Sequence, residues 1–315
     1  MSFLSQASSN PLLKEYAQGR ARDSVSKLAQ FISPSVEVSA ATGRFKKFTE
    51  KHRFSIPNTE RAVGGAAVQL VFTREDGTFN CTPNALDAPV DVSAGSAEDA
   101  QAELKDAADE ISAVAALSHE KKVIDLALSG LTNTDIAWAG DFDPKAFLDA
   151  KIAALIKASG FGGNLSVRVV FGAGAWLTWI NHPNIRKNII VSGGRGAAVG
   201  LALPTEQLTS DMLFARPEIK TCMTAHDSTP QGVTANYAFL LDKQVLVFLA
   251  SDRPTRRDPS FMKTFRLRGR WMVPGMYQSP DARQEVAKMD WSEDVQIANS
   301  AAAKLFTVTN ATAIA

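Results

Sequence analysis

The chain has 315 residues, a formal net charge of +1 and two cysteines. The near-neutral balance excludes a molecule built throughout to neutralise a phosphate backbone. Two thiols exclude a disulfide scaffold, so Cys81 and Cys222 are expected to be reduced and mostly buried.

No apolar run reaches the roughly 18 residues that span a bilayer. With no secretory h-region, a soluble chain made in the cytoplasm is expected, and the length allows one elaborate domain or two ordinary ones. The charge is uneven. Residues 1–61 carry Arg20, Arg22, Arg44, Lys46, Lys47, Lys51, Arg53 and Arg61, whereas 98–125 is acidic. A second basic run holds Arg253, Arg256, Arg257, Lys263, Arg266, Arg268 and Arg270. Such patches suit contacts between copies as well as with an anionic polymer.

The first 35 or so residues read as an arm with a short helix around Leu12 to Ala29, a frayed terminus being the alternative. From Gly43, GRFKKFTEKHRFSIPNTE sets Phe45, Phe48 and Phe54 among polar residues with no helical start signal. In RAVGGAAVQLVFTREDGTFN, Val68, Leu70 and Phe72 alternate, and Glu75-Asp76-Gly77 reads as a turn. These are long extended strands too poor in apolar residues for a core of their own, so they project or lie over something else.

The period then changes. Leu104, Ala107, Ala108, Ile111, Val114, Leu117 and Ser118 recur at helical spacing, while Asp99, Glu103, Asp106 and Glu110 line another face. With Ser96 as the N-cap, about thirty residues give a spine of roughly 45 Å, a break near Ser118 being the alternative.

DPKAFLDAKIAALIKASG is a cleaner amphipathic helix, capped by Asp143, with Pro144 at its first position and Gly160 as its stop. SVRVVFG, residues 166–172, is a buried strand, and AWLTWINHPNIRKNI is a helix interrupted or ended before Pro183. The succession reads as an α/β unit. IIVSGGRGAAVGLALP is loop-like. EIKTCMTAHDS and NYAFLLDKQVLVFLA have strand character, the second divided by an Asp-Lys turn. SFMKTFRLRGRW alternates over one extended strand, and the terminal TVTNATAIA is small, apolar and turnless.

Nothing along this path specifies a reaction. His52, His119, His182 and His226 are scattered, with no HExxH spacing, and His226-Asp227 has Cys222 nearby but no nucleophile elbow. GAGAW has Trp176 and Leu177 where a dinucleotide loop wants its third glycine, and SGGRGAAVG lacks the Lys-Ser/Thr of a phosphate loop. Asp106, Asp109 and Glu110 lie on a wet face, which does not raise a carboxyl into the range of an acid catalyst. No catalytic, cofactor-binding or metal-binding residue is assigned, and the chain is expected not to be an enzyme.

Taken in order, the arm, projecting β hairpin, long acidic helix, α/β unit and long strand resemble the major capsid protein of tailed bacteriophages. The stretches carrying the likeness are SPSVEVSAATGRFKKFTEKHRFSIPNTERAVGG, DLALSGLTNTDIAWAG and VVFGAGAWLTWINHPNIRKNI, within about residues 25–275.

The resemblance implies an α+β capsid fold with an N-terminal arm (1–40), an extended β-hairpin loop (41–92) and a peripheral domain with the spine helix (93–142). An axial α/β domain (143–250) and a return to the peripheral domain (251–315) complete it. It implies that Arg44, Phe45, Lys46, Lys47, Phe48, Lys51, Arg53 and Phe54 touch a neighbouring subunit, for which the acidic face Asp99, Glu103, Asp106 and Glu110 is one candidate partner. Some relatives join this loop covalently through a lysine and an asparagine; Lys46, Lys47 or Lys51 is the candidate lysine, without matching partners.

The expected function is a shell of hexamers and pentamers enclosing weakly held double-stranded DNA, assembled in the host cytoplasm and resident in the virion. Separate scaffolding, portal and decoration proteins are its expected partners. Two alternatives stand: a nanocompartment shell protein, and a nucleic-acid-binding protein using the basic runs 44–61 and 253–270.

Overall fold

The structure, a computed structural model, describes residues 27–47, 60–61, 63–65, 75–91, 97–159, 165–192, 204–229, 234–280 and 283–311. Helix α1 (Lys27–Ile32) precedes β1 (Ser35–Val38), β2 (Thr42–Lys47), β3 (Glu75–Asn80) and β4 (Thr82–Asp91). There follow α2 (Ala97–Ser129), β5 (Asn133–Ile136), α3 (Pro144–Ser159), β6 (Ser166–Gly172), α4 (Ala173–Asn181), α5 (Pro183–Ser192) and α6 (Glu206–Met212). The last elements are β7 (Glu218–Cys222), β8 (Ala225–Asp227), β9 (Tyr237–Phe239), β10 (Gln244–Ala250), β11 (Met262–Leu267), β12 (Val273–Gln278), β13 (Gln284–Ile297) and β14 (Ala303–Val308).

The described residues fall into two compact units. One is built from the chain up to Gly43, Thr78–Leu126 and Lys263–Gln296, the other from Arg44–Gly77, Ala127–Met262 and the chain from Ile297 onward.

The first unit centres on a sheet in the order β1-β11-β13-β12, with β4 pairing antiparallel to β13. α2 covers it. This helix runs 33 residues without the break allowed for near Ser118, about 50 Å at the rise of an α-helix. Ile111 and Ala115 pack with Met272, Ala287, Met289 and Trp291, and Leu104 packs with Val90. Ala287, Met289 and Trp291 are two apart, so the pleat of β13 turns all three to one face. Val114, expected on the apolar stripe, is instead 52% exposed. A stripe centred on Ile111 and Ala115 leaves Val114 rotated off it, because successive residues advance by about 100°.

The second unit holds a sheet in the order β5-β14-β10-β6-β7. β10 is antiparallel to β6 and β14, whereas β6 with β7 and β14 with β5 are parallel. SVRVVFG and QVLVFLA are near-continuous apolar runs, and both strands are buried along almost their whole length. α3 begins as expected: Asp143 Oδ1 accepts the Lys145 N–H at 3.0 Å and the Ala146 N–H at 3.2 Å. The helical run across His182 is cut at Pro183, and His182 becomes the cap of α5, its Nδ1 accepting the Asn184 N–H at 3.3 Å. Burial pushes the His182 imidazole below its usual value, which keeps Nδ1 an acceptor.

Two expectations are corrected. Glu75-Asp76-Gly77 lies in strand β3; the described turn nearby is at Val63-Gly64, where Gly64 has φ 86°. Met262–Leu267 does not alternate, and the strand ends before Gly269 (φ 72°). Its first five residues, Lys263 included, are all buried, because β11 lies between β1 and β13 in the sheet. EIKTCMTAHDS has the expected strand character and divides into β7 and β8, which belong to different sheets. The arm before Lys27 and the stop at Gly160 lie outside the described residues.

Candidate functional site

The segment from Gly43 forms a ribbon in which β2 pairs with β3. Its spacing has a steric cause. A Cβ on Gly77 would stand 2.6 Å from Cζ of Phe45, and a Cβ on Gly43 would stand 2.6 Å from Cζ of Phe79. Each aromatic ring thus occupies the space that a side chain on the opposite strand would need.

Phe79 is buried and stacks on Phe265 with 4.5 Å between centroids. The Asn80 N–H donates to Asp294 Oδ2 at 2.8 Å, fixing the strand's end. Phe45 is likewise 2% exposed, so its ring is already covered within its own chain. Lys46 is half-buried and pairs closely with Asp76, holding that carboxyl below the usual carboxylate range. Arg44 and Lys47 are left exposed. Phe48, Lys51, Arg53 and Phe54 lie outside the described residues.

On α2, Glu103, Asp106 and Glu110 are exposed, and their spacing by three and four puts them on one face. Asp99 is in the helix, its side chain outside what is described. The acidic face and the ribbon are therefore two separately built features, and each leaves charge in solvent.

The second basic run is not a stripe. Lys263 and Arg266 are buried, while Arg253, Arg256, Arg257, Arg268 and Arg270 are exposed. Arg266 lies 3.5 Å over the Trp271 ring, and burial lowers its guanidinium to about 10, against the pull of Glu293 and Glu37. A nucleic-acid groove needs its cations in water facing the backbone, which Lys263 and Arg266 do not provide.

The Gly-rich turn GAGAW has a structural explanation. Asp242 Oδ1 accepts the Gly174 N–H at 3.0 Å, and the carbonyls of Leu241 and Asp242 accept the N–H groups of Ala173 and Ala175. The chain's own carboxylate sits where a phosphate would sit at the start of α4. Gly172 permits this approach, since a Cβ there would lie 2.3 Å from the Asp242 carbonyl oxygen.

His226-Asp227 is equally local: the His226 ring contacts the Ala238 carbonyl at 3.1 Å, and Asp227 Oδ1 accepts from Thr229 and Asn236 across the β8–β9 hairpin. Among the described residues no group of three His, Cys, Asp or Glu side chains could hold a metal ion. Cys81 and Cys222 are buried and unbridged.

Sequence reasoning missed one buried polar cluster in the first unit. His119 Nδ1 lies 2.6 Å from Glu293 Oε2, with both side chains at most 2% exposed, and Lys122 Nζ lies 3.6 Å from Glu293 Oε1. His119 Nδ1 and Glu293 Oε2 are buried together, close in distance but without the geometry of a hydrogen bond. Burial pushes the Glu293 carboxyl up, but His119 and then Lys122 outweigh it, and the group ends below its usual value. The Trp271 ring meets His119 edge-on at 5.1 Å. No local pattern announces this cluster, because its parts come from α2, β13 and the turn after β11.

Against known structures, the chain superposes on a phage-related protein from Bordetella bronchiseptica with a TM-score of 0.67 at 16% identity, covering 95% of this chain and 97% of that one. It superposes on a chain of the mature capsid of bacteriophage PhiM1 with a TM-score of 0.53 at 11% identity, covering 90% and 87%. The fold is shared with a phage capsid. At these identities the likeness concerns the fold alone: a mixed α/β architecture of several sheets and helices. No protein-family model and no curated protein matches the sequence.

Proposed function

We propose that the chain is a structural, non-catalytic subunit that assembles in many copies into a closed icosahedral shell around double-stranded DNA. The observation that carries this reading is the near whole-length likeness in fold to a chain of a phage capsid. Extended elements with little core of their own gain stability by lying on a neighbour, and a closed ring repeats that gain at every interface.

In this reading the unit containing α2 is the peripheral domain and the unit containing the β5-β14-β10-β6-β7 sheet is the axial domain of a hexamer or pentamer. The β2–β3 ribbon of one copy, with Arg44 and Lys47 outward, meets the acidic face Glu103, Asp106 and Glu110 of the next. Opposed charges there guide register and partner choice more than they add affinity. Separate scaffolding, portal and decoration proteins complete the particle, which forms in the host cytoplasm and persists as the virion. The DNA is contained with weak, non-specific contact.

The test is expression of the chain alone and with the products of neighbouring genes, followed by electron microscopy. Hollow or filled icosahedral particles are expected. A chain that remains monomeric at high concentration with a scaffold present refutes the proposal, and particles filled with protein cargo in place of DNA redirect it to a nanocompartment.

A further inference from the structure

The turn after α6 carries a combination that subunit folding does not call for. Phe214 is 53% exposed, and the two residues after it, Ala215 (φ 65°) and Arg216 (φ 45°), are both in the left-handed region. Neither is glycine or asparagine, the types that enter this region at low cost, and Arg216 precedes a proline, which restricts it further.

The surroundings hold the strained shape from several sides. Asp149 Oδ1 accepts the Phe214 N–H at 2.7 Å, and Asp149 is itself set by Lys145, whose Nζ lies 2.6 Å from Oδ2. The Arg216 N–H donates to the Leu213 carbonyl at 3.2 Å, and Ser210 Oγ–H donates to the Pro217 carbonyl at 2.6 Å. The hydroxyl and carboxylate partners come from α6 and α3, so two helices fix a turn whose apex is an aromatic ring in water beside an exposed arginine.

Backbone strain that persists because its surroundings over-determine it is concentrated at functional sites. An exposed aromatic with an adjacent arginine has the composition of an interface anchor, and holding it rigid before contact removes the ordering cost that association otherwise meets. We infer that Phe214–Arg216 is a preformed docking element for a second copy of this chain, Phe214 entering an apolar recess and Arg216 meeting a carboxylate on it.

The inference rests on the shell reading. In a closed ring each copy presents one surface to a different surface of the next, so a projecting element on every subunit has a receiving site on every neighbour. It is independent of the ribbon and the acidic helix face, which involve other residues.

The experiment follows assembly of the full chain by light scattering and electron microscopy, with Phe214→Ala, Arg216→Glu and Ala215→Gly beside the wild type and with thermal melting of each unassembled subunit. Phe214→Ala is expected to raise the concentration at which particles form about tenfold or more. Arg216→Glu is expected to act in the same direction. Ala215→Gly should leave the melting temperature unchanged or higher, because strain is relieved, while still weakening assembly through the loosened turn. Hydrogen exchange across 213–217 should slow on assembly of the wild type. A wild type that assembles while Phe214→Ala assembles at the same concentration, or without protection of 213–217, overturns the inference and leaves the shell reading standing. A wild type that never assembles overturns both.

Discussion

Replacing Glu293 with glutamine removes a negative charge from a site that keeps His119 Nδ1 at 2.6 Å and Lys122 Nζ at 3.6 Å. Volume and shape are nearly conserved, so the cost is electrostatic. Taking one partner out of a buried pair costs about 3–5 kcal/mol. Lys122 is 41% exposed and already solvated, which puts the expected loss at the lower end, about 3 kcal/mol. At about 2–4 °C per kcal/mol, a scale set by domains of roughly 150–250 residues, the melting temperature falls by about 6–12 °C.

The pH dependence has a definite sign. In the folded chain the Glu293 carboxyl lies below its ordinary 4.5, so its contribution to stability is present above about pH 4.5 and is lost as pH falls through the depressed value. Wild type and Glu293→Gln should therefore differ most near neutrality and converge on acidification. Calorimetry of the unassembled subunit from about pH 7 to about pH 3 reads both quantities. A difference under about 2 °C near neutrality, or one that persists unchanged at the acid end, would refute the electrostatic account.

Gly172→Ala places a Cβ 2.3 Å from a backbone oxygen, and neither the strand nor the 241–242 turn can yield cheaply, so a loss of at least about 1–3 kcal/mol should appear in urea unfolding. Asp242→Ala removes the acceptor of the Gly174 N–H and is expected to cost about 1 kcal/mol by the same measurement. Lys47→Glu leaves subunit melting within about 0.5 kcal/mol, since the residue is exposed, yet should suppress particle formation by meeting Glu103, Asp106 and Glu110 with like charge. Lys46 is the poorer probe because it already pairs with Asp76. Purified subunits should bind duplex DNA only weakly at physiological salt; submicromolar affinity with a steep salt slope would count against a shell.

Legibility in the sequence followed the range of the forces involved. Asp143, Pro144 and the proline break at 183 act within a few residues, and the helices they bound stand where the pattern puts them. The 33-residue helix was legible because its apolar stripe repeats many times. β13 was not, because QEVAKMDWSEDVQI has polar residues on both faces, and its Glu293 faces His119 across the fold. β14 was missed for a related reason: AKLFTV becomes an inner strand only through β5 and β10, far away in sequence.

Of the candidate site, charge was legible and burial was not. Phe45, Lys46 and Lys47 look alike in a basic, aromatic run, and only the strand opposite makes the first buried, the second paired and the third exposed. Gly77 reads as a turn residue in the sequence because a glycine required by a facing ring looks the same as one required by its dihedrals.

The two aromatic-over-glycine pairs of the ribbon have opposite orientation, the ring belonging to β3 at Phe79 and to β2 at Phe45. Sliding one strand by two residues, the smallest shift that keeps every side chain on its own face, would oppose either ring to ring or glycine to glycine. One mispairing jams and the other leaves a gap. The four residues thus act as a combination lock, and a ribbon so encoded pairs in one register only.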